Sequence, residues 1–174
     1  MAEALDDRGA QVTGIDPAED AIEAARTHAQ SRTIAYDVGV GEALPYSDGQ
    51  FDAVVCVDVL EHIADLSQVL AEVVRVLKPG GLFLFDTINR NPIARLATIT
   101  VVEDILGLLP KGTHDPTMSI KPSELERGLV AAGLEVGQFT GLGPRGMNRH
   151  GDLTFGQLPL KVVIYMGSAV KLMV

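Results

Sequence analysis

The chain has 174 residues, of which 47% are hydrophobic and 21% are charged, and this composition is typical of one globular domain with a sizeable core. The net charge of −9, with no basic run, argues against a nucleic-acid partner. A single cysteine, no visible secretory leader and no apolar run of about 18 residues lead us to expect a protein of the reducing cytoplasm.

The first predicted strand ends at an acidic residue. Residues 2–8 are predicted to end a helix, and the β-branched run 11–15 predicts a strand that ends at Asp16. In dinucleotide-binding folds a carboxylate at this place accepts hydrogen bonds from a ribose diol, because both of its oxygens are acceptors. Asp16 before Pro17 is also typical of a helix N-cap, and the two interpretations are compatible.

A loop that contains glycine is the second candidate binding segment. A helix over residues 18–30 and a short strand over residues 34–36 are predicted before it. Gly39 and Gly41 permit a close backbone approach to a flat ligand, and the Leu-Pro-Tyr group at 44–46 offers apolar walls.

An apolar strand followed by polar residues is the most informative stretch. Residues 53–57 predict a strand buried on both faces of a parallel sheet, and ligands bind beyond the carboxyl ends of such strands. Asp58, Glu61 and His62 follow this end, and such a set can bind a hard divalent cation or share a proton. The spacing is equally typical of a helix cap, with Asp58 as N-cap and Glu61 in a capping box. Both interpretations stay open at this point.

The alternation of strands and helices predicts the fold class. An apolar helical face over residues 66–77 precedes a tight turn at 78–81 and a second strand, 82–85, also predicted to be buried on both faces. Alternation of this kind implies parallel pairing with right-handed crossovers. We therefore expect one domain over residues 1–174, with an α/β fold and a doubly wound, mostly parallel sheet.

Residues 91–118 depart from that alternation. The helical stretch 92–109 is apolar over so broad a face that it suits either a lid over the site or a helix on a bilayer surface. Its polar face is not rich in Lys and Arg, as the polar faces of bilayer-surface helices are, which favours the lid. The remaining elements expected are a helix over 122–133, a strand at 136–140, a glycine-rich loop at 141–151 and an antiparallel edge strand at 162–166.

Several motifs resemble, in the same order, those of the class I S-adenosylmethionine-dependent methyltransferases. They lie at residues 12–16, 41–45, 51–54, 60–62 and 77–81. Three further runs resemble the ubiquinone-biosynthesis O-methyltransferases within that superfamily, at 87–91, 109–115 and 121–125. The resemblance covers nearly the whole chain and implies a Rossmann-like methyltransferase fold.

The resemblance implies a set of S-adenosylmethionine contacts. Asp16 would bind the ribose hydroxyls, Gly41 and Glu42 would border the adenine, and Val57 would contact the cofactor through its backbone. The superfamily's first motif, an acidic-x-Gly-x-Gly-x-Gly loop, is absent from the chain. We therefore expect an N-terminally shortened domain that lacks its first strand and glycine loop, with unpaired backbone groups on the neighbouring strands.

The resemblance also implies the chemistry. Eukaryotic-type members bind Mg²⁺ through an acid-x-x-Glu-His set, which maps onto Asp58, Glu61 and His62, with Asp here in place of the family's Glu. Without a metal, His62 or His114 would act as the base. The implied reaction is O-methylation of a hydroxylated, polyprenylated aromatic ring in quinone biosynthesis. Residues 92–109 would cover the polyprenyl tail, or contact the inner face of the membrane peripherally.

Other interpretations compete with this one. The first is a methyltransferase that acts on another small molecule. A nicotinamide-dependent dehydrogenase would use Asp16 equally well, but its Gly-x-Gly-x-x-Gly motif and a catalytic Tyr-Lys or His-Asp pair are not recognisable. A non-catalytic binding protein would account for the missing first motif, whereas the retained Asp16, Glu42 and polar residues at 58–62 oppose it. Cys56 is predicted to be a buried strand residue rather than a nucleophile.

Overall fold

The computed structural model describes residues 1–96, 118–149 and 153–173. The chain divides into two compact units, residues 1–46 and residues 47–174, and each unit has its own β-sheet. The sequence predicts one domain, and that organisation stays a prediction.

The first unit contains two helices and a two-stranded parallel sheet. Its elements are α1 (Ala2–Asp6), β1 (Thr13–Asp16), α2 (Glu19–His28) and β2 (Ala35–Val38). Arg32 links the end of α1 to the segment after α2, because its Nη1 donates hydrogen bonds to Oδ2 of Asp6 at 2.9 Å and to Oδ1 of Asp7. These carboxylates raise the pKa of Arg32 above its ordinary range, and Arg32 in turn lowers the pKa of Asp7.

The second unit is built on a six-stranded sheet. Its elements are β3 (Phe51–Cys56), a 3₁₀ turn (Leu60–His62), α3 (Leu66–Val76), β4 (Leu77–Ile88), α4 (Pro92–Arg95), α5 (Pro122–Ala131), β5 (Leu134–Val136), β6 (Thr140–Met147), β7 (Leu153–Leu158) and β8 (Ile164–Lys171). The strand order is β3-β4-β8-β6-β7, with β5 beside β8. β3 and β4 are parallel, whereas β8 runs antiparallel to β4, β5 and β6, and β7 runs antiparallel to β6.

The C-terminal half departs from the predicted arrangement. The last strand is predicted at an edge, but β8 lies between β4 and β6 and pairs with both. Up to Met147, the predicted glycine-rich loop is strand β6. A Cβ on Gly141 would overlap the carbonyl oxygen of Leu160, so glycine is what permits the close packing there. Strand pairing therefore overrides the low strand propensity of glycine.

Helices α3 and α5 pack on one face of the second sheet. Asp65 caps α3, since its Oδ1 accepts a hydrogen bond from the backbone N–H of Gln68 at 3.1 Å. The apolar side chains of both helices form a buried cluster with strand residues, comprising Leu60, Val69, Leu70, Val73, Leu77, Phe83, Phe85, Ile120, Leu125, Leu129, Leu134, Tyr165 and Ala169.

The opposite face of the sheet is partly open. Alternate residues of a strand point to opposite faces, and Val55, Leu84 and Val170 are 36%, 36% and 38% exposed. The prediction that residues 53–57 and 82–85 are buried on both faces is therefore wrong. Both runs are apolar, but α3 and α5 cover only the face that carries Phe83 and Phe85.

Candidate active site

The predicted ribose-binding residue lies at the end of β1 in the first unit. The carboxylate of Asp16 is exposed, and its Oδ1 accepts a hydrogen bond from the backbone N–H of Ala18 at 2.8 Å. This contact forms an Asx-type turn rather than the predicted helix N-cap, because α2 begins at Glu19 and its N-cap is Ala18. A carboxylate has about four lone pairs, so Asp16 keeps acceptor capacity for a diol.

The predicted adenine-binding loop, residues 39–46, is also in the first unit. Gly41 and Glu42 lie in a turn and are half-buried. At the end of the loop the hydroxyl of Tyr46 donates a hydrogen bond to Oδ2 of Asp37 at 3.0 Å. Burial and then this carboxylate raise the pKa of Tyr46 to about 12. The hydroxyl therefore stays protonated, and the hydrogen bond holds the end of the loop to β2.

In the second unit the chain turns sharply after β3. Val57 is half-buried, and Asp58 is exposed with a φ of +53°. This left-handed conformation is uncommon for residues other than glycine, although Asp tolerates it better than most. Asp86 of β4 stabilises the turn, because its Oδ1 accepts a hydrogen bond from the backbone N–H of Asp58 at 2.8 Å.

The three predicted metal ligands differ in their surroundings. Asp58 and His62 are exposed, whereas Glu61 is only 4% exposed. The hydroxyl of Thr87 donates a hydrogen bond to the Glu61 carboxylate, with 2.9 Å between Oγ1 and Oε2. Among the described residues, no group of three His, Cys, Asp or Glu side chains is placed to hold a metal ion. This arrangement does not fit a magnesium site, and the ligand set stays a prediction.

The helix-cap interpretation of the same residues is wrong. The 3₁₀ turn has Val59 as its N-cap, and α3 begins only at Leu66, with Asp65 as its N-cap. Asp58 and Glu61 therefore do not form a capping box. The left-handed Asp58 separates β3 from the 3₁₀ turn instead.

Asp86 belongs to this site, although the motifs give it no role. Asp86 is only 6% exposed, and burial is the main cause that raises the pKa of its carboxyl to about 6. The hydrogen bond from the N–H of Asp58 opposes this shift, and the charges of Asp58 and Glu61 add to it. Carboxyls with perturbed pKa values are common at functional sites. Its place after an apolar run, in the strand parallel to β3, is the sequence feature that could have identified it.

Cys56 ends β3 beside these carboxylates. Burial, and after it the charges of Glu61 and Asp86, raise the pKa of its thiol to about 12. Since the thiolate is the reactive form, this environment leaves the thiol a poor nucleophile. Cys56 lies in the strand as predicted, but it is half-buried rather than buried.

The candidates fall in both units and in the undescribed segment. Asp16, Gly41 and Glu42 belong to the first unit, and Val57 and the polar residues 58–62 belong to the second. His114 and most of the predicted cover at 92–109 lie outside the described residues. In the parts of the chain that the structure describes, no helix is long and apolar enough to cross a membrane.

Both a family model and several curated proteins are similar to this chain in sequence. A family model described as a methyltransferase domain matches residues 1–85. The ubiquinone biosynthesis O-methyltransferase of Thiobacillus denitrificans is 42% identical over 145 residues, which cover 82% of this chain and 62% of that protein. The protein of the same name from Pseudomonas aeruginosa is 42% identical over 156 residues, which cover 86% of this chain and 66% of that protein. The chain thus spans somewhat less than two thirds of these relatives.

Solved structures share the fold. An S-adenosylmethionine-dependent methyltransferase from Methanosarcina mazei superposes with a TM-score of 0.72 at 23% identity, covering 100% of this chain and 88% of that one. A possible histamine N-methyltransferase from Thermotoga maritima gives a TM-score of 0.66 at 20% identity, covering 92% of this chain and 72% of that one. These likenesses confirm the predicted Rossmann-like α/β fold. Together, the sequence and fold similarities support an S-adenosylmethionine-dependent methyltransferase that resembles the ubiquinone biosynthesis O-methyltransferases.

Proposed function

We propose that this chain carries out S-adenosylmethionine-dependent O-methylation of a hydroxylated aromatic ring in ubiquinone biosynthesis. One observation supports this above all. The chain is 38–42% identical, over 82–88% of its length, to several curated proteins named ubiquinone biosynthesis O-methyltransferase. The activity of those longer proteins is extended to this chain as part of the proposal.

The proposed cofactor contacts come from loops that follow strands. Asp16 would accept hydrogen bonds from the ribose hydroxyls, which fits its exposure and its spare acceptor capacity. Gly41 and Glu42 would border the adenine, and the backbone of Val57 would contact the cofactor. When bound, S-adenosylmethionine supplies an electron-poor methyl group on its sulfonium sulfur.

His62 is the proposed base for the acceptor hydroxyl, which must lose its proton to become a good nucleophile. It is exposed at the end of the 3₁₀ turn, and imidazole is the commonest general base in enzymes. His114 is the second candidate and lies outside the described residues. We assign no step to Mg²⁺, because Glu61 is buried and bonded to Thr87 in this structure.

The proposed acceptor is an aromatic hydroxyl compound with a polyprenyl tail. Residues 92–109 are broadly apolar in sequence and would cover such a tail. The alternative role for the same segment is a peripheral contact with the inner face of the membrane. The net charge of −9 makes nucleic acid an unfavourable partner.

Cofactor binding is tested by isothermal titration of S-adenosylmethionine and S-adenosylhomocysteine into the chain and two variants. Asp16→Asn should raise the dissociation constant about 10- to 100-fold, the size expected for loss of charge-assisted hydrogen bonds. Asp20→Asn is the matched control, because Asp20 is exposed in the first turn of α2 and the charge change is the same. Absence of binding by the wild-type chain, or equal losses in both variants, would contradict the cofactor assignment.

The acceptor is tested by transfer of a radiolabelled methyl group to catechols with and without a polyprenyl chain. We expect label in the aromatic product, with a preference for the polyprenylated compound. Parallel reactions with Mg²⁺ and with a chelator decide whether a cation takes part. Cofactor binding without methylation of any aromatic hydroxyl would overturn the substrate class and leave methylation of another small molecule.

A further inference from the structure

Two consecutive residues of β4, Asp86 and Thr87, form hydrogen bonds with the two ends of the segment 58–61. Oδ1 of Asp86 accepts a hydrogen bond from the backbone N–H of Asp58 at 2.8 Å. Oγ1 of Thr87 donates a hydrogen bond to Oε2 of Glu61 at 2.9 Å. One strand thus fixes the chain at two points after β3, at Asp58 in the connection and at Glu61 within the 3₁₀ turn.

The contact between Thr87 and Glu61 lies in the interior of the second unit. Thr87 is fully buried and pairs with Tyr165 of β8, and Glu61 is 4% exposed. A buried carboxylate without partners is costly, so the hydroxyl of Thr87 offsets part of the desolvation of Glu61. The neighbouring Asp58 and His62 are exposed, which sets Glu61 apart from the other two predicted ligands.

We infer that Glu61 is an anchor for the segment after β3 rather than a metal ligand, and that Asp86 and Thr87 are positioning residues that fix this segment. Val57 directly precedes the segment 58–61 in the chain, and His62 directly follows it. Its conformation therefore sets where the backbone of Val57 and the imidazole of His62 lie. The effect on cofactor and acceptor rests on the proposed function, whereas the anchor itself rests on the contacts alone.

An anchor and a ligand respond differently to matched substitutions. Thr87→Val keeps the volume and the Glu61 carboxylate but removes the hydroxyl donor, whereas Thr87→Ser keeps a donor. Glu61→Gln keeps an acceptor oxygen for Thr87 but removes the charge that a cation requires, and Glu61→Met removes both. An anchor tolerates Ser at 87 and Gln at 61, whereas a ligand tolerates Val at 87 but not Gln at 61.

Amide hydrogen exchange of the whole chain, read by mass spectrometry in peptides over residues 58–63, tests the anchor without any ligand. The amides of Asp58 and His62 are protected by hydrogen bonds to Oδ1 of Asp86 and to the carbonyl oxygen of Val59. Thr87→Val and Glu61→Met should speed exchange about tenfold there, as expected for loss of one buried hydrogen bond. Thr87→Ser and Glu61→Gln should stay within about threefold of wild type. Peptides of α5 serve as the internal control.

Wild-type exchange rates in Thr87→Val, or rates in Glu61→Gln as high as in Glu61→Met, would overturn the anchor. If the amides of Thr87→Val exchange fast in all peptides, including those of α5, that variant is unfolded. The comparison of Glu61→Gln with Glu61→Met then tests the anchor. The same proteins are then titrated with S-adenosylhomocysteine, and the dissociation constant should rise about tenfold in Thr87→Val and recover in Thr87→Ser. If exchange is faster in Thr87→Val and Glu61→Met but the wild-type chain binds no cofactor, the anchor is upheld and the proposed function is refuted.

Discussion

Asp86→Asn removes a carboxyl whose charged form is costly in the folded chain. Burial raises the pKa of Asp86 from 3.8 to about 6. The folded state therefore prefers the protonated form, so this carboxyl's contribution to the free energy of unfolding is complete below about pH 4 and is lost as the pH rises through about 6. Asn resembles the protonated acid and keeps an acceptor oxygen for the N–H of Asp58, so the variant should not show this loss.

The expected magnitude follows from the two pKa values of Asp86. The difference between 3.8 and about 6 corresponds to at most about 3 kcal/mol, at 1.36 kcal/mol per pKa unit. Water beside the exposed Asp58 screens the charge, which reduces the expected effect to about 1–2 kcal/mol. The variant should exceed wild type in stability by that amount at pH 7.5 and match it near pH 4.

Urea unfolding followed by far-ultraviolet circular dichroism measures this difference, since the chain contains no tryptophan. The other carboxyls titrate in both proteins and cancel in the comparison. Asp52→Asn is a control of opposite sign, because Nζ of Lys78 lies 2.7 Å from Oδ1 of Asp52 and lowers the pKa of that exposed carboxyl. A stability difference for Asp86→Asn that is the same at pH 4 and pH 7.5 would refute the reasoning.

Three further predictions concern single side chains. The raised pKa of Cys56 should make its alkylation by iodoacetamide at pH 8 at least about 100-fold slower than that of free cysteine, and similar rates would contradict this. Tyr165→Phe should lower the free energy of unfolding by about 1 kcal/mol, because its buried hydroxyl donates to the carbonyl oxygen of Ile120 at 3.1 Å, and an unchanged urea midpoint would argue against that bond. Gly141→Ala should lower it by about 1–3 kcal/mol, because the added Cβ overlaps the carbonyl oxygen of Leu160, and a neutral effect would exclude that close approach.

The N-terminal half of the fold follows from local sequence patterns. Apolar runs of strand length and apolar helical faces alternate as far as β4, and the structure has β1, α2, β2, β3, α3 and β4 in that order. The residues after α5 lack such a pattern. Residues 140–147 contain three glycines and a proline, and they form a strand because β7 and β8 supply hydrogen-bond partners on both sides.

Burial of the two apolar strands could not be predicted from their composition. Val54 and Val55 are equally apolar, yet Val54 packs against the core and Val55 is 36% exposed. Sequence shows which side chains favour burial, whereas the cover on each face depends on where α3 and α5 pack. The same reason separates Phe83 from Leu84 in β4.

The polar residues after β3 show what spacing alone can predict about a site. Residues three or four apart share a face only in a regular helix, and the left-handed Asp58 lies before the 3₁₀ turn that contains Glu61. The partners of these two residues, Asp86 and Thr87, are 28 and 26 positions away, and no local rule connects them. The place of Asp58 and Glu61 beyond the carboxyl end of β3 was predictable, because it depends on the apolar run before them. The contact of Glu61 with Thr87 depends on the pairing of β3 with its parallel neighbour β4, because that strand brings a buried hydroxyl to the carboxylate.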